Sequence, residues 1–320
     1  MIATDGAIYS LLKQEFPELT FLPLMSFRMK YSRKKYLLPL KILIQFPKII
    51  LGIYKEHQWL DKIIKQYRID AVISDNRFGM YSKKIHSIYI THQLLIKTGN
   101  SFTEKIAKKV HYHFIKKYNE CWVPDFEVNG LGGNLSHPQN LPLNIKYIGA
   151  LSRFELQLHH QKKYDLLISI SGPEPQRTIF ENKILNELIL YNSKVLLIRG
   201  LPENKDLLQH PSIEIKNHLT ATQLNEAILS SDMILARCGY TTIMDMVKLF
   251  KKAILIPTPG QTEQEYLAKY LRDKKIFYTV EQKNFSLKND IEQATSMHFN
   301  IPDVDMEQYK KVINQFVQSL

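Results

Sequence analysis

Short apolar runs alternate with amphipathic stretches along almost the whole chain. The pattern predicts a strand at Met1–Thr4, a helix at Gly6–Phe16 and a strand at Thr20–Leu24. Residues 36–69 read as a long helical region broken by Pro39 and Pro47. Strands follow at Ala71–Ser74 and Ser87–Thr91, then a helix at Thr103–Tyr118 and strands at Glu120–Pro124 and Ile145–Gly149. A loop-rich stretch, 125–144, carries Gly130, Gly132, Gly133, Pro138 and Pro142. A second series then begins. It has strands at Tyr164–Ile170, Lys194–Arg199, Ser212–Ile215, Met233–Ala236, Ala253–Pro257 and Ile276–Thr279. Helices are predicted at Thr178–Tyr191 and Thr220–Ser230, after the loops that follow Ala236 and Pro257, and at Asp305–Leu320. Strands alternating with helices at this spacing argue an α/β fold with parallel sheets. The order divides into two Rossmann-like domains, residues 1–149 and 150–320.

Composition narrows the setting. A hydrophobic fraction of 44% in 320 residues supports two real cores. The two cysteines, Cys121 and Cys238, fit no zinc or redox spacing, which points to a reducing cytoplasm. The start carries no secretory signal pattern, and no run of apolar residues is long enough to predict a transmembrane helix. Net charge is +12, which suits nucleic acid, an anionic membrane surface or an anionic substrate. No nucleic-acid recognition motif accompanies the charge. Residues 19–55 hold Arg28, Lys30, Arg33, Lys34, Lys35, Lys41, Lys48 and Lys55 among aromatic and aliphatic residues, with no acidic residue. That composition suits peripheral contact with the inner face of an anionic membrane; a helix pair with one core face and one solvated lysine face is the plainer alternative.

The candidate chemistry lies at strand ends. In an open α/β sheet, ligands bind beyond the carboxyl ends of the strands, where helix N-termini present N–H groups to anions. Residues 169–177, Ser-Ile-Ser-Gly-Pro-Glu-Pro-Gln-Arg, form one such turn. Ser171 and Gly172 allow close approach of a diphosphate, and Arg177 offers a guanidinium. Arg237-Cys238-Gly239-Tyr240-Thr241-Thr242 forms a second, with Asp245 placed to accept both hydroxyls of a ribose. After Pro257, the loop 258–262 leads into Glu263, Gln264 and Glu265, of which Gln264 and Glu265 suit sugar hydroxyls. Each also has a structural alternative: a plain βα turn, dipole compensation within the helix, or a solvated helix face.

Residues 165–275 resemble the C-terminal domain of glycosyltransferase family 28. The resemblance rests on a glycine-containing loop after the first strand, then Arg237-x-Gly239-x-x-Thr242 with Asp245 six residues after the glycine. Pro257-x-Pro259, with Gln264 and Tyr266 beyond, completes it. It implies the GT-B fold, two Rossmann-like domains facing a cleft, and transfer of a hexose or N-acetylhexosamine from a UDP-sugar to a hydroxyl, with inversion. It implies no cofactor beyond the UDP-sugar co-substrate and no metal held by a DxD motif. By position, Asp245 holds the ribose, Gln264 and Glu265 the donor sugar, and Ser171 and Gly172 lie by the diphosphate. Arg153 corresponds to a family arginine at the cleft. Glu265 departs from a Gln-Gln pair found in the lipid II branch of the family, which leaves the donor hexose open.

The first half resembles the family less. Ile90-Thr91-His92-Gln93 is similar to a strand that ends in His-Glu-Gln in that family, which implies an acceptor-side or cleft position for His92, a structural strand-end histidine being the alternative; His92 and Asp75 are the candidate catalytic bases, and Arg77 shares the neighbouring strand end with Asp75. The family opens with a strand and a Gly-His loop that have no counterpart before Ile2. About thirty to forty residues are therefore expected to be missing, leaving Met1–Thr4 without a neighbour on one side. The acceptor is expected to be a lipid or lipid-linked saccharide. The alternatives are a non-catalytic nucleotide-sugar-binding remnant and a UDP-sugar epimerase, which shares the fold.

Overall fold

The structure, a computed structural model, describes residues 1–24, 38–157, 160–189, 191–204, 206, 208–210 and 213–320. The first half runs β1 (Ile2–Thr4), α1 (Gly6–Glu15), β2 (Phe21–Pro23), α2 (Leu38–Tyr67), β3 (Ala71–Asp75), β4 (His86–Ile90), α3 (Ser101–Ile115), β5 (Glu120–Val123) and β6 (Ile145–Tyr147). All its strand pairs are parallel. β1 and β2 form a two-stranded sheet, and β3–β4–β5–β6 form a second sheet of four. Among the described residues, the outer edges of β1 and β3 have no strand partner, and Ile73 on β3 is exposed.

The region 36–69 is not broken as expected. A single helix covers Leu38–Tyr67 and carries Pro47 in its interior. Pro39 falls in the first turn, where the missing N–H has no intrahelical partner. Pro47 forfeits one backbone bond, and the helix continues because its later turns bury Leu60 and Ile64 against Leu24 and Met80.

Side-chain alternation on the central strands explains the layers. Tyr89, Cys121 and Val123 pack toward Ile115 at the end of α3. Ile88 and Trp122 point to the other face, where they meet Val312 and Phe316. Those two residues belong to the last helix of the chain, so this helix follows the second sheet in sequence but lies on the first.

The second half runs β7 (Tyr164–Ser169), α4 (Gln176–Leu188), β8 (Val195–Ile198), β9 (Glu214–Lys216), α5 (Ala221–Leu229), β10 (Ser231–Arg237), α6 (Tyr240–Lys248), β11 (Ala253–Ile256), α7 (Thr262–Asp273), β12 (Tyr278–Thr279), α8 (Leu287–Ser296) and α9 (Gln308–Gln318). The parallel order is β12–β11–β10–β7–β8–β9, doubly wound with its switch point between β7 and β10. β8 and β11 are buried throughout, as expected of strands covered on both faces. β9 sits slightly later than the Ser212–Ile215 expected, and residues 211–212 lie outside the described residues. α8 was not foreseen. Its Leu287 and Ala294 join the core beside Phe285, a stripe too short to stand out in a polar stretch. The architecture is two Rossmann-like domains, as expected.

Candidate active site

The two domains meet where the end of β4 faces the starts of α6 and α7. On the second domain the switch point carries two loops. After β7, Ser171 and Gly172 are exposed, and Gly172 has φ +109°, a region that side chains rarely adopt. Its position is also close to Thr258 at the end of β11: a Cβ at 172 would lie 3.6 Å from the threonine Oγ1. After β10, Gly239 is the N-cap of α6 and provides no side-chain cap. The first N–H groups of that helix therefore remain available, with the positive end of the helix dipole behind them.

Asp245 lies in the second turn of α6, buried. Its Oδ1 accepts a 2.6 Å bond from the Ser152 hydroxyl, on the segment that joins the domains. Desolvation raises its pKa to about 6, with the Ser152 bond and the nearby Arg153 guanidinium acting against the rise. Arg153 is half exposed, lies over Phe154 and approaches Glu15 of α1 at 3.6 Å.

Gln264 and Glu265 begin α7 and fold back on its approach loop. Gln264 Oε1 accepts from the Thr258 N–H at 2.8 Å, and its amide donates to Gln261. Glu265 Oε1 accepts from the Gly260 N–H at 2.9 Å. Both shape the 258–261 loop beside Gly172.

Arg177 and Arg237 turn inward. Arg177 is buried, bonded to Glu174, to Glu181 at 3.1 Å and to the carbonyl of Arg199, while Arg199 reaches Glu181 at 2.6 Å. Arg237 is fully buried against the Phe180 ring, donating to Gln282 at 2.8 Å and to the Gln176 carbonyl at 3.0 Å. Burial lowers its pKa to about 10. Their positions in the two strand-to-helix segments predict a place at the site; their side chains knit α4 to the sheet instead. Glu181→Ala would leave the Arg177 and Arg199 guanidinium groups facing each other without their shared carboxylate. The expected cost is about 3–5 kcal/mol, read as a lower midpoint in chemical denaturation.

The first domain contributes β4's end. His92 stacks flat on Tyr240, with ring centroids 4.3 Å apart and planes at 4°. Its Nε2 lies 2.7 Å from Glu263 Oε1. Gln93 donates to the other oxygen of the same carboxylate. Asp75, at the neighbouring strand end, bonds Asn76; partial desolvation raises its carboxyl pKa, and the nearby His92 ring acts in the opposite direction. Thr242 is half-buried in the first turn of α6, its Oγ1 beside Gly239. Arg77 pairs with Glu56 of α2, away from His92.

A further cluster lay outside the sequence reading. Asp125, fully buried after β5, accepts from the N–H groups of Phe126 at 2.8 Å, Leu131 at 2.7 Å and Gly132 at 3.0 Å, and from the Ser136 hydroxyl. The loop it closes seats the second domain. Tyr266 accepts from the Asn134 N–H at 2.7 Å, Tyr270 donates to the Gly130 carbonyl at 2.9 Å, and Tyr240 donates to the Pro124 carbonyl at 3.1 Å. Gly133 fits because a Cβ there, at φ +52°, would come within 2.6 Å of the Tyr266 hydroxyl. An acid at a strand end before a glycine-rich loop was the visible signal.

Of the basic stretch 19–55, residues 25–37 lie outside the described residues. The described part of α2 exposes Lys48, Ile50, Leu51, Tyr54 and Lys55. No described helix is long and apolar enough to cross a membrane.

Residues 177–319 match the model of the glycosyltransferase family 28 C-terminal domain. The chain is 20% identical over 260 residues to a UDP-N-acetylglucosamine–N-acetylmuramyl-(pentapeptide) pyrophosphoryl-undecaprenol N-acetylglucosamine transferase of Rickettsia akari, covering 70% of this chain and 67% of the relative. In fold it is similar to the kitacinnamycin glycosyltransferase, at TM-score 0.61 and 11% identity over 99% of this chain and 87% of that one. It is also similar to a UDP-GlcNAc 2-epimerase of Methanocaldococcus jannaschii, at TM-score 0.53 and 13% identity over 83% and 81%.

Proposed function

We propose that this chain is a UDP-sugar glycosyltransferase of family 28, whose C-terminal domain model matches residues 177–319, and that its two domains divide the work. The second domain binds a UDP-hexose or UDP-N-acetylhexosamine, and the first presents a hydroxyl acceptor, lipid-linked as in the Rickettsia relative. The observation that carries this is the switch point, where Gly172, Gly239 and the uncapped N-terminus of α6 leave room and N–H donors for a diphosphate. Asp245 accepts from the ribose hydroxyls, displacing the Ser152 hydroxyl. Gln264 and Glu265 hold the sugar, and Ser171 lies by the diphosphate.

Transfer proceeds with inversion. His92 takes the acceptor proton, with Asp75 beside it, as the acceptor oxygen attacks the anomeric carbon. The bond from that carbon to the diphosphate breaks, and UDP leaves with the electron pair. The α6 N-terminus and Arg153 stabilise the charge that develops on it, so no metal or further cofactor enters the scheme. The exposed Lys48, Ile50, Leu51, Tyr54 and Lys55 of α2 support contact with an anionic membrane from the cytoplasmic side. The likeness to an epimerase is one of fold, while the family match lies with the transferases.

Calorimetric titration with a panel of UDP-sugars tests the donor half. At least one is expected to bind with a Kd below about 1 mM, and UDP alone is expected to compete. Silence across the panel overturns the reading.

A further inference from the structure

His92 belongs to the first domain, yet its stacking partner and its orienting carboxylate come from the second. Tyr240, the first residue of α6, supports its face at 4.3 Å. Glu263, in the first turn of α7, meets its Nε2 at 2.7 Å. The same carboxylate is anchored by Gln93 on its second oxygen. α7 is itself clipped to the first domain next to this pair, because the Thr262 hydroxyl donates to the Lys97 carbonyl at 2.6 Å.

An ionised carboxylate only accepts hydrogen bonds, so Nε2 carries the proton. In a neutral imidazole the lone pair then resides on Nδ1, which makes no hydrogen bond among the described residues. We propose that Glu263 is a positioning residue: it holds His92 in the Nε2–H tautomer and thereby leaves Nδ1 as the proton acceptor. This rests on the transferase reading and adds a condition to it. The base is complete only when the two domains are together, because its ring and its orienting carboxylate sit on different domains.

The step balances simply. The acceptor O–H proton passes to Nδ1, the oxygen bonds to the anomeric carbon, and the carbon–diphosphate bond breaks with its electron pair leaving on UDP. The imidazolium that forms lies against the Glu263 carboxylate, which favours that charge. The groups facing His92 are Asp75 from β3, Tyr240 from α6, Glu263 from α7 and Gln93 from its own strand end. Of these only Glu263 bonds the ring as a carboxylate. Glu263 takes no part in the 258–261 loop that Gln264 and Glu265 shape.

The test compares wild type with Glu263→Gln in the full chain. Imidazole 15N spectra of histidine-labelled protein are expected to show His92 as the Nε2–H tautomer in wild type. In the variant they are expected to show a mixture or the opposite tautomer, since a glutamine amide can donate to Nε2. With a UDP-sugar that the wild type turns over, kcat is expected to fall at least tenfold, while KM for the donor and calorimetric affinity for UDP change by less than about threefold. An unchanged tautomer or a kcat within twofold of wild type overturns the proposal. So does a loss confined to KM, which would make the pair a domain latch and nothing more. If the wild type binds and turns over no UDP-sugar, the transferase reading fails instead, and the spectra still report whether Glu263 sets the tautomer.

Discussion

Asp125→Ala is expected to unfold the protein at a much lower urea concentration, with a loss of about 4 kcal/mol or more. The size of the loss is set by what remains behind. Three backbone N–H groups and the Ser136 hydroxyl converge on one carboxylate with no exposure to water. Removing it leaves several buried donors unpaired at about 1–3 kcal/mol each, and alanine cannot fill the space. Asp125→Asn keeps one carbonyl oxygen for Phe126 and Leu131 but turns an amide toward the Gly132 N–H, so about half of the loss is expected. Trp122, buried on the strand just before Asp125, provides the fluorescence readout. Variants within about 1 kcal/mol of wild type would show that the loop stands without its carboxylate. The damage should reach beyond stability, because the 130–134 backbone is where Tyr266 and Tyr270 of the donor-side helix rest.

The second large effect concerns Asp245, where stability and binding are expected to move in opposite directions. Burial lifts its folded pKa to about 6, against an ordinary value of 3.8 that applies to the unfolded chain. Below about pH 4 both states hold the proton and nothing is lost. As pH rises from about 4 to 6 the unfolded chain releases the proton first, so stability falls. Above 6 the penalty is constant, at about 3 kcal/mol for a shift of this size. Asp245→Asn should therefore be more stable than wild type at pH 7 and lack the slope between pH 4 and 6. A nucleotide reverses the preference, because ribose hydroxyls donate to the charged carboxylate. UDP should bind wild type more tightly at pH 7 than at pH 5. The asparagine variant should bind about 10- to 100-fold more weakly at pH 7, the worth of hydrogen bonds to a charged group, and with little pH dependence. Equal affinity of the two proteins at pH 7 would remove Asp245 from the ribose.

Much of this was legible because it is local. Gly172 and Gly239 stand just beyond the ends of β7 and β10, where the spacing predicts them. The same spacing locates Asp245, one and a half turns into α6, and the family resemblance adds its partner chemistry. Side-chain direction was not legible. Arg177 opens α4 and Arg237 ends β10, yet Glu181, Gln282 and the Phe180 ring draw both guanidinium groups inward. Nor was the pairing of His92 with Glu263, 171 residues apart, because neither residue's neighbours in sequence betray a partner in the other domain. Pro47 misled for a related reason. Its local cost is real, but a thirty-residue helix packed along its later turns absorbs it.

The last helix gives the molecule its mechanics. The chain passes from the first domain to the second near Gly149 and comes back at Gln308, and these two crossings touch. Gln308 packs on Gly149 and donates to the Tyr147 carbonyl at 3.2 Å. A single connecting strand would behave as a swivel, free to swing and to twist. Two crossings packed side by side constrain twisting more than one does. Any movement of one domain on the other has to work against the Gln308–Tyr147 bond and against Val312 and Phe316 in their seat on the first sheet.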